Sequence, residues 1–352
     1  MINSEKLSVG VDNLLINCAN LKLGDDLLII RERESLGWYK NDISEVVATA
    51  AIKKGIKTSI IDVGKPDNSE KKSLIKEVNE HSCTIFFARI GDQDRFEEKK
   101  YATKRVMSYV RSAESLSSTF GTTNYHSNIA LKNSIDSILS EAKRITITCP
   151  LGTNISGHIR NNSKEKSNEV SVYRFPLVVP KPINCSLFSG NVVLNNYLTS
   201  TGSKVYEPNF LKINKPINFK IDNGYITNVE GIEEDLKSIN DHYDFVSKKF
   251  NLDRNCVHSW HPGLHPGVQH YDKNIEQDPD QWSNTVFASP KFLHFHTCGN
   301  YAPGEICWML KNHSVFVDNL PLWQNGYLTP FNFKNTSECL EKHKEIKSLF
   351  AA

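Results

Sequence analysis

Between Asp26 and Gly152 the chain alternates short apolar runs with stretches of helical periodicity, and this alternation restricts the fold more than any other feature. DLLII from Asp26 reads as a short buried strand. NDISEVVATAAIKKG follows, where Asn41 or Asp42 can cap a helix and Gly55 can end it. TSIIDVG, EKKSLIKEVNEHS and CTIFFARIG from Cys83 then read as strand, helix and strand. After Tyr125, HSNIALKNSIDSILSEAKR has helical spacing and leads directly into the strand-like ITITCPLG. Strands separated by helices predict a mostly parallel sheet with helices on both faces, an α/β fold of Rossmann-like type. No GxGxxG follows the first strand, so no dinucleotide fingerprint is present.

From about residue 165 the texture changes. VSVYRFPLVV, FSGNVVLNN, INFKIDNGYITNVEG and HSVFVDNLPLWQNG alternate strand-like runs with turns, and Asp222-Asn223-Gly224 and Gln324-Asn325-Gly326 are hairpin signals. GIEEDLKSINDHYDFVSKKF is the exception, an amphipathic helix of several turns. The sequence therefore predicts an α/β domain over 1–165 and an α+β domain rich in antiparallel strands over 166–352. No internal repeat or low-complexity segment interrupts them.

A chain of 352 residues can bury two cores. Its formal charge of +2, with basic and acidic residues interleaved, offers no electrostatic reason for nucleic acid, and the NNSKEKSNE stretch after Arg160 reads as a solvated loop. MINSEKLSVG lacks the basic and apolar regions of a signal peptide, and no apolar run is long enough to span a bilayer. Eight cysteines without CxxC spacing suit reduced thiols, so a cytoplasmic, non-membrane protein is expected.

Seven of the twelve histidines fall between His258 and His313, in HSWHPGLHPGVQH and LHFHTCGNYAPGE and at His313 itself. Imidazole is the commonest metal ligand, so this density points to a metal site. His294 and His296, two apart in FLHFHTC, would share one strand face about 6.5–7 Å apart while Leu293 and Phe295 pack behind them. The alternative is a hydrogen-bonded pair lining a polar cavity. His258, His261, His265 and His270 have spacings compatible with a helix, but Pro262, Gly263, Pro266 and Gly267 favour a loop that presents one or two rings. His261 and His265, each followed by Pro-Gly, are the preferred pair. Glu305 could add a carboxylate, and Tyr301 an acid or hydrogen-bond donor. His258, Trp260 and Asn191 are expected to line a substrate pocket, to which Trp282, Trp308 and Trp323 would add an apolar wall. His313 reads as a surface residue beside a strand, and His81, His126, His158, His242 and His343 are isolated. Cys298 or Cys307 could pair with a histidine as a nucleophile, or could be small core residues.

Several of these elements also resemble a known family. GTNISGHI from Gly152, GNVVLNN from Gly190, the His265-Pro266-Gly267 turn, HFHTCGNYAPG and the hairpin from Val315 are similar, in order, to elements of the aminopeptidase T type metallo-aminopeptidases and the related 2,5-dihydroxypyridine dioxygenases. The likeness spreads over nearly the whole chain, and each motif is degenerate. The family's metal-binding glutamate in the second element falls on Asn191. Its glutamate ahead of the turn falls near Ser259, and its closing HxD pair falls on Cys307 and Met309. Tyr301 keeps the tyrosine of the fourth element, and His294 and His296 stand near its histidine. The resemblance thus implies a divergent member whose two-metal site is gone, with histidines rebuilding a single-metal site for zinc or iron. It also implies a homodimer. Three functions are compatible: a mononuclear metal-dependent, hydrolase-like enzyme acting on a small molecule or peptide-like amide, a non-haem Fe(II) oxygenase, and a catalytically dead binding or scaffold protein.

Overall fold

The computed structural model describes residues 2–66, 68–93, 95, 102–159, 170–176, 179–268, 278–301 and 304–350. His270 and the basic stretch after Arg160 lie outside the described residues. In chain order the strands are β1 (Asp26–Glu32), β2 (Lys57–Val63), β3 (Cys83–Phe87), β4 (Lys104–Ser108), β5 (Arg144–Thr148), β6 (Asn154–His158), β7 (Tyr173–Phe175), β8 (Ile183–Asn184) and β9 (Phe188–Ser200). They continue with β10 (Phe210–Asp222), β11 (Tyr225–Glu230), β12 (Val257–Pro262), β13 (Phe292–Thr297), β14 (Ile306–Lys311), β15 (Ser314–Val317), β16 (Leu320–Gln324) and β17 (Tyr327–Leu328).

The chain divides into two compact units, the first comprising residues 1–129, 169–178 and 267–269 and the second the remainder. In the first, five strands pair in the order β2-β1-β3-β4-β7, all parallel. Leu27, Leu28, Ile29 and Ile30 of β1 are all fully buried, as a parallel strand covered on both faces requires. Helices Asn41–Lys53 and Asn68–Glu80 make the crossovers on either side of β2. The alternating pattern of the sequence is met here, with one correction. ITITCPLG does not extend the parallel sheet. As β5 it pairs antiparallel with β6 and β15 in the second unit, so the division falls near residue 130 instead of 165. Asp318 fixes this pairing by accepting from the backbone N–H groups of Lys143 and Arg144.

The second unit is built on a mostly antiparallel sheet ordered β17-β16-β15-β5-β6-β9-β14-β13-β12-β8, with the β10–β11 hairpin joined to β9. Both expected hairpin turns form. Asn223 and Gly224, and Asn325 and Gly326, have positive φ at both central positions, as a tight two-residue hairpin demands. The predicted amphipathic helix spans Glu233–Phe250. Its Asp235 accepts from the backbone N–H groups of Asn214 and Lys215, where the β10–β9 register breaks between Ile213 and Ile217 and leaves those donors without ladder partners. The same helix places Tyr243 over the sheet. The Tyr243 hydroxyl accepts from Trp308 Nε1 at 2.7 Å and bonds Thr297 Oγ1 at 2.7 Å, which in turn donates to the Ile306 carbonyl.

HSWHP departs from the expected loop: it is strand β12, and the loop starts only at Gly263. Pro262 is tolerated because β8 pairs with β12 only at Ser259 and Trp260, so the proline ends the strand beside an open edge.

Candidate metal centre

β13 lies between β12 and β14, and its register decides which side chains meet. His294 stands opposite His261 and Met309, and His296 opposite Ser259 and Cys307. The three histidines therefore share one face of the sheet, as strand alternation predicts for His294 and His296. Phe295, Trp260 and Trp308 occupy the other face, with Trp260 edge-on to Phe188 and Phe219 against Trp308. Trp260 is thus a core residue with no exposure, which corrects its expected place in a pocket.

All three rings are buried. Nε2 of His296 and Nε2 of His261 are 3.0 Å apart. The His261 and His294 ring centroids are 5.6 Å apart, and Phe287 stacks on His294 at 4.5 Å. Among the described residues, neither ring nitrogen of His294 has a hydrogen-bond partner. Burial, reinforced by the nearby His313, pushes the His294 pKa down to about 3, so its ring is neutral at physiological pH with a lone pair available. Leaving a buried neutral imidazole unsatisfied costs about 1–3 kcal/mol, which a bound ion or water would relieve.

Of the positions to which the resemblance assigns lost ligands, three lie across from these rings and Asn191 does not. Ser259, Cys307 and Met309 are cross-strand partners of His296 and His294 on the histidine face. Burial pushes Cys307 up to about 12 and Cys298 likewise to about 12, so both stay thiols and the cysteine-nucleophile reading has no electrostatic support. The Pro279–Val286 helix supplies Ser283, whose Oγ bonds Thr199 Oγ1 at 3.0 Å and approaches Met309 Sδ at 3.5 Å. Neither Ser283 nor Phe287 was expected in the site; their only sequence signal is a short amphipathic run after Pro279.

Glu305 and Tyr301 lie in the β13–β14 connection. The Glu305 carboxylate accepts from Tyr301 OH at 2.6 Å and Ser203 Oγ at 2.7 Å, and its backbone N–H is tied to Thr297 and Cys298 carbonyls. Two residues before Cys307, Glu305 sits roughly 7 Å of strand rise beyond the His296–Cys307 pair. Burial and the neighbouring carboxylate raise the Tyr301 pKa, keeping it a protonated donor.

The remaining expected residues have these surroundings. His265 is buried in the loop after β12, its backbone N–H bonded to the Ala288 carbonyl, and burial lowers its pKa to about 4. His258 is half-buried, with Nδ1 2.9 Å from Ser259 Oγ. Asn191, eight residues before Thr199 on β9, donates to the carbonyl of Gly152, just ahead of β6, and pairs across the sheet with Asn154. His313, read as surface, is fully buried beside Trp323. Among the described residues no three His, Cys, Asp or Glu side chains converge closely enough to hold a metal ion. The His261–His296 pair, at 3.0 Å, has suitable spacing: two nitrogens about 2.1 Å from one ion lie about 3.0–3.4 Å apart at angles of 90–109°.

No protein-family model matches the sequence, and no curated protein does. Among solved structures, 2,5-dihydroxypyridine dioxygenase from Pseudomonas putida KT2440 is similar over 96% of this chain and 99% of that one, with a TM-score of 0.63 at 11% identity. AmpT from Thermus thermophilus is similar over 92% and 99%, with a TM-score of 0.56 at 11% identity. At such identity the likeness is one of fold, and it covers both units. The α/β and antiparallel architecture is thus shared with these two proteins.

Proposed function

We propose that the chain is a metal-dependent enzyme acting on a small molecule or a peptide-like amide. His261 and His296 would hold a divalent transition ion, zinc or iron, and His294 would complete the set by rotating its ring about χ1 and χ2. The observation that carries this reading is the buried histidine face, with the His261–His296 pair at 3.0 Å and the unsatisfied His294 beside it. A bound ion would supply Lewis acidity or an activated water. Tyr301 and Glu305, joined by a 2.6 Å hydrogen bond, would serve as proton donor and acceptor. Ser203 orients the Glu305 carboxylate. The fold shared with AmpT supports the hydrolase-like version, and that shared with the dioxygenase supports an iron-dependent oxygenase. Family-type carboxylate chemistry is disfavoured by Cys307 and Met309 at the positions facing His296 and His294.

A second reading, a binding protein without catalysis, is favoured by the lack of a three-ligand group among the described residues. Elemental analysis of untagged protein separates the two. About one zinc or iron per chain, lost in the His294→Ala/His296→Ala double variant, is the expected result. No metal even after incubation with zinc or ferrous iron sinks the enzyme reading in favour of a binding protein.

A further inference from the structure

The first unit carries an open groove between the Ser4–Asp12 and Asn41–Lys53 helices, with a volume of about 670 Å3. Its floor is apolar. Leu7 and Val11 come from one helix and Val46 and Ala50 from the other, each pair four residues apart and so on one helix face. Val11 is buried, whereas Leu7, Val46 and Ala50 keep part of their surface in solvent. Ser8 and Thr49 add small side chains midway along the walls, which leaves room for another helix to approach. The apolar surface continues past the rim: Ile52, two turns beyond Glu45 on the same row, is 60% exposed. A helix face that met only water would carry polar side chains at these positions.

Along the second helix the groove changes sign. Asp42 and Glu45 stand in its first turns, and Lys53 and Lys54 at its last residue and cap. Two of these serve the fold of the protomer itself. Asp42 Oδ1 accepts from the Ala113 backbone N–H at 3.1 Å, and Lys54 Nζ meets Asp12 Oδ1 at 2.7 Å. Glu45 is 3.7 Å from Arg31 Nη1, but that guanidinium grips Asp62 through Nε at 2.7 Å, and the Glu45 side chain is 64% exposed. Glu45, Thr49 and Lys53 thus form one exposed row with four-residue spacing and Thr49 at its midpoint.

A second copy laid antiparallel about a two-fold axis at Thr49 has a definite register. Glu45 of each protomer falls opposite the partner's Lys53, so the pair forms twice, and Val46 falls opposite the partner's Ile52. Parallel packing of the same row would set glutamate on glutamate and lysine on lysine. Charge therefore selects the antiparallel arrangement, and the surface is complementary to itself. We infer that this groove is a self-association surface, in which the Asn41–Lys53 helix of each of two copies enters the groove of the other. Thirteen residues make that helix about 20 Å long, and a face two helices wide offers about 400 Å2 in projection. This falls below the roughly 800 Å2 per partner of a stable complex, so the dimer is weak and depends on concentration. The inference uses residues of the first unit alone and is independent of the metal reading.

The test is sedimentation velocity of the full chain across the micromolar range, with Glu45→Lys and Lys53→Glu variants alone and mixed. Wild type is expected to pass from monomer to dimer as concentration rises, and less readily in high salt. Each variant alone sets like charges at both contacts and should weaken association about tenfold or more. An equimolar mixture restores opposite charges at both contacts, and its heterodimer should form within about threefold of wild-type affinity. Both side chains are exposed, so circular dichroism of the variants should match wild type. A wild type that stays monomeric throughout leaves the groove to another chain or an apolar ligand and overturns the inference. Dimers that persist in both variants place association on another surface, and a mixture no better than the variants alone shows that Glu45 and Lys53 do not meet. Either result also overturns it.

Discussion

Replacing His294 with phenylalanine tests the buried histidine face most directly. The ring is fully buried, stacks on Phe287 at 29° and has no hydrogen-bond partner for either nitrogen among the described residues. Phenylalanine keeps the stacking plane and removes two desolvated polar atoms, a gain of about 1–3 kcal/mol for the metal-free protein. The slightly larger ring offsets part of this through overpacking, which in well-filled cores costs about 1–3 kcal/mol. The two effects are of similar size, so the net change lies within about 2 kcal/mol of zero, or within about 8 °C in the midpoint of the second unit's transition. Metal decides the ranking. An ion at about 100 times its Kd adds about 2.7 kcal/mol to the wild type and should add little to the variant. Thermal unfolding with chelator and with added zinc or ferrous iron reads both effects. If the chelated variant unfolds well below wild type, the His294 nitrogens have partners and the argument from their isolation fails. If added metal raises both proteins equally, His294 is not a ligand.

Tyr243→Phe should cost about 1–3 kcal/mol, because buried Trp308 Nε1 loses its acceptor at 2.7 Å; urea unfolding that matches wild type would show the relay carries no stability. Burial holds the His242 pKa down at about 4, so the folded protein binds fewer protons than the unfolded chain in the interval up to about 6.5. His242 therefore contributes its full stability above about pH 6.5 and loses about 3 kcal/mol as pH falls towards 4. A His242→Phe variant should show a flatter stability–pH curve across that window, and an unchanged slope would contradict the assignment. Gly263→Ala would place a Cβ 2.3 Å from the Ser289 carbonyl oxygen and 2.4 Å from the Ala288 carbonyl carbon, both backbone atoms. The loop must shift, and a midpoint drop is expected in the same unfolding assay; none would mean the segment yields freely.

Where local chemistry decides structure, the sequence was legible. Asn-Gly pairs set both hairpin turns because they tolerate positive φ, and period-two alternation put His294 and His296 on one face. The parallel sheet was legible from its uninterrupted apolar strands. The rest depended on pairing between distant segments, which no local pattern encodes. ITITC reads identically whether it joins β4 or β15; the Asp318 carboxylate, 174 residues from Arg144, settles the choice. Likewise, His261 joined the site only because β12 pairs with β13, a register hidden by two prolines. His313 looked solitary because its burial comes from Trp323 and the β14–β15 turn at Asn312, where φ is positive. Asn191 was placed by similarity alone, and β9 is long enough to carry it away from Thr199.

β13 is laddered on both sides, to β12 and to β14. The Cα positions of His294 and His296 are therefore pinned, so a ligand role would be adjusted only through their side-chain torsions. A centre assembled this way has fixed anchor points and steerable donors: it can retune bond angles by turning imidazoles, yet cannot widen its footprint without tearing the sheet. Discrimination between ions of different radius would then rest on the stiffness of the ladder, and that on angle preference would rest on Phe287, the aromatic plane stacked against one of the rings.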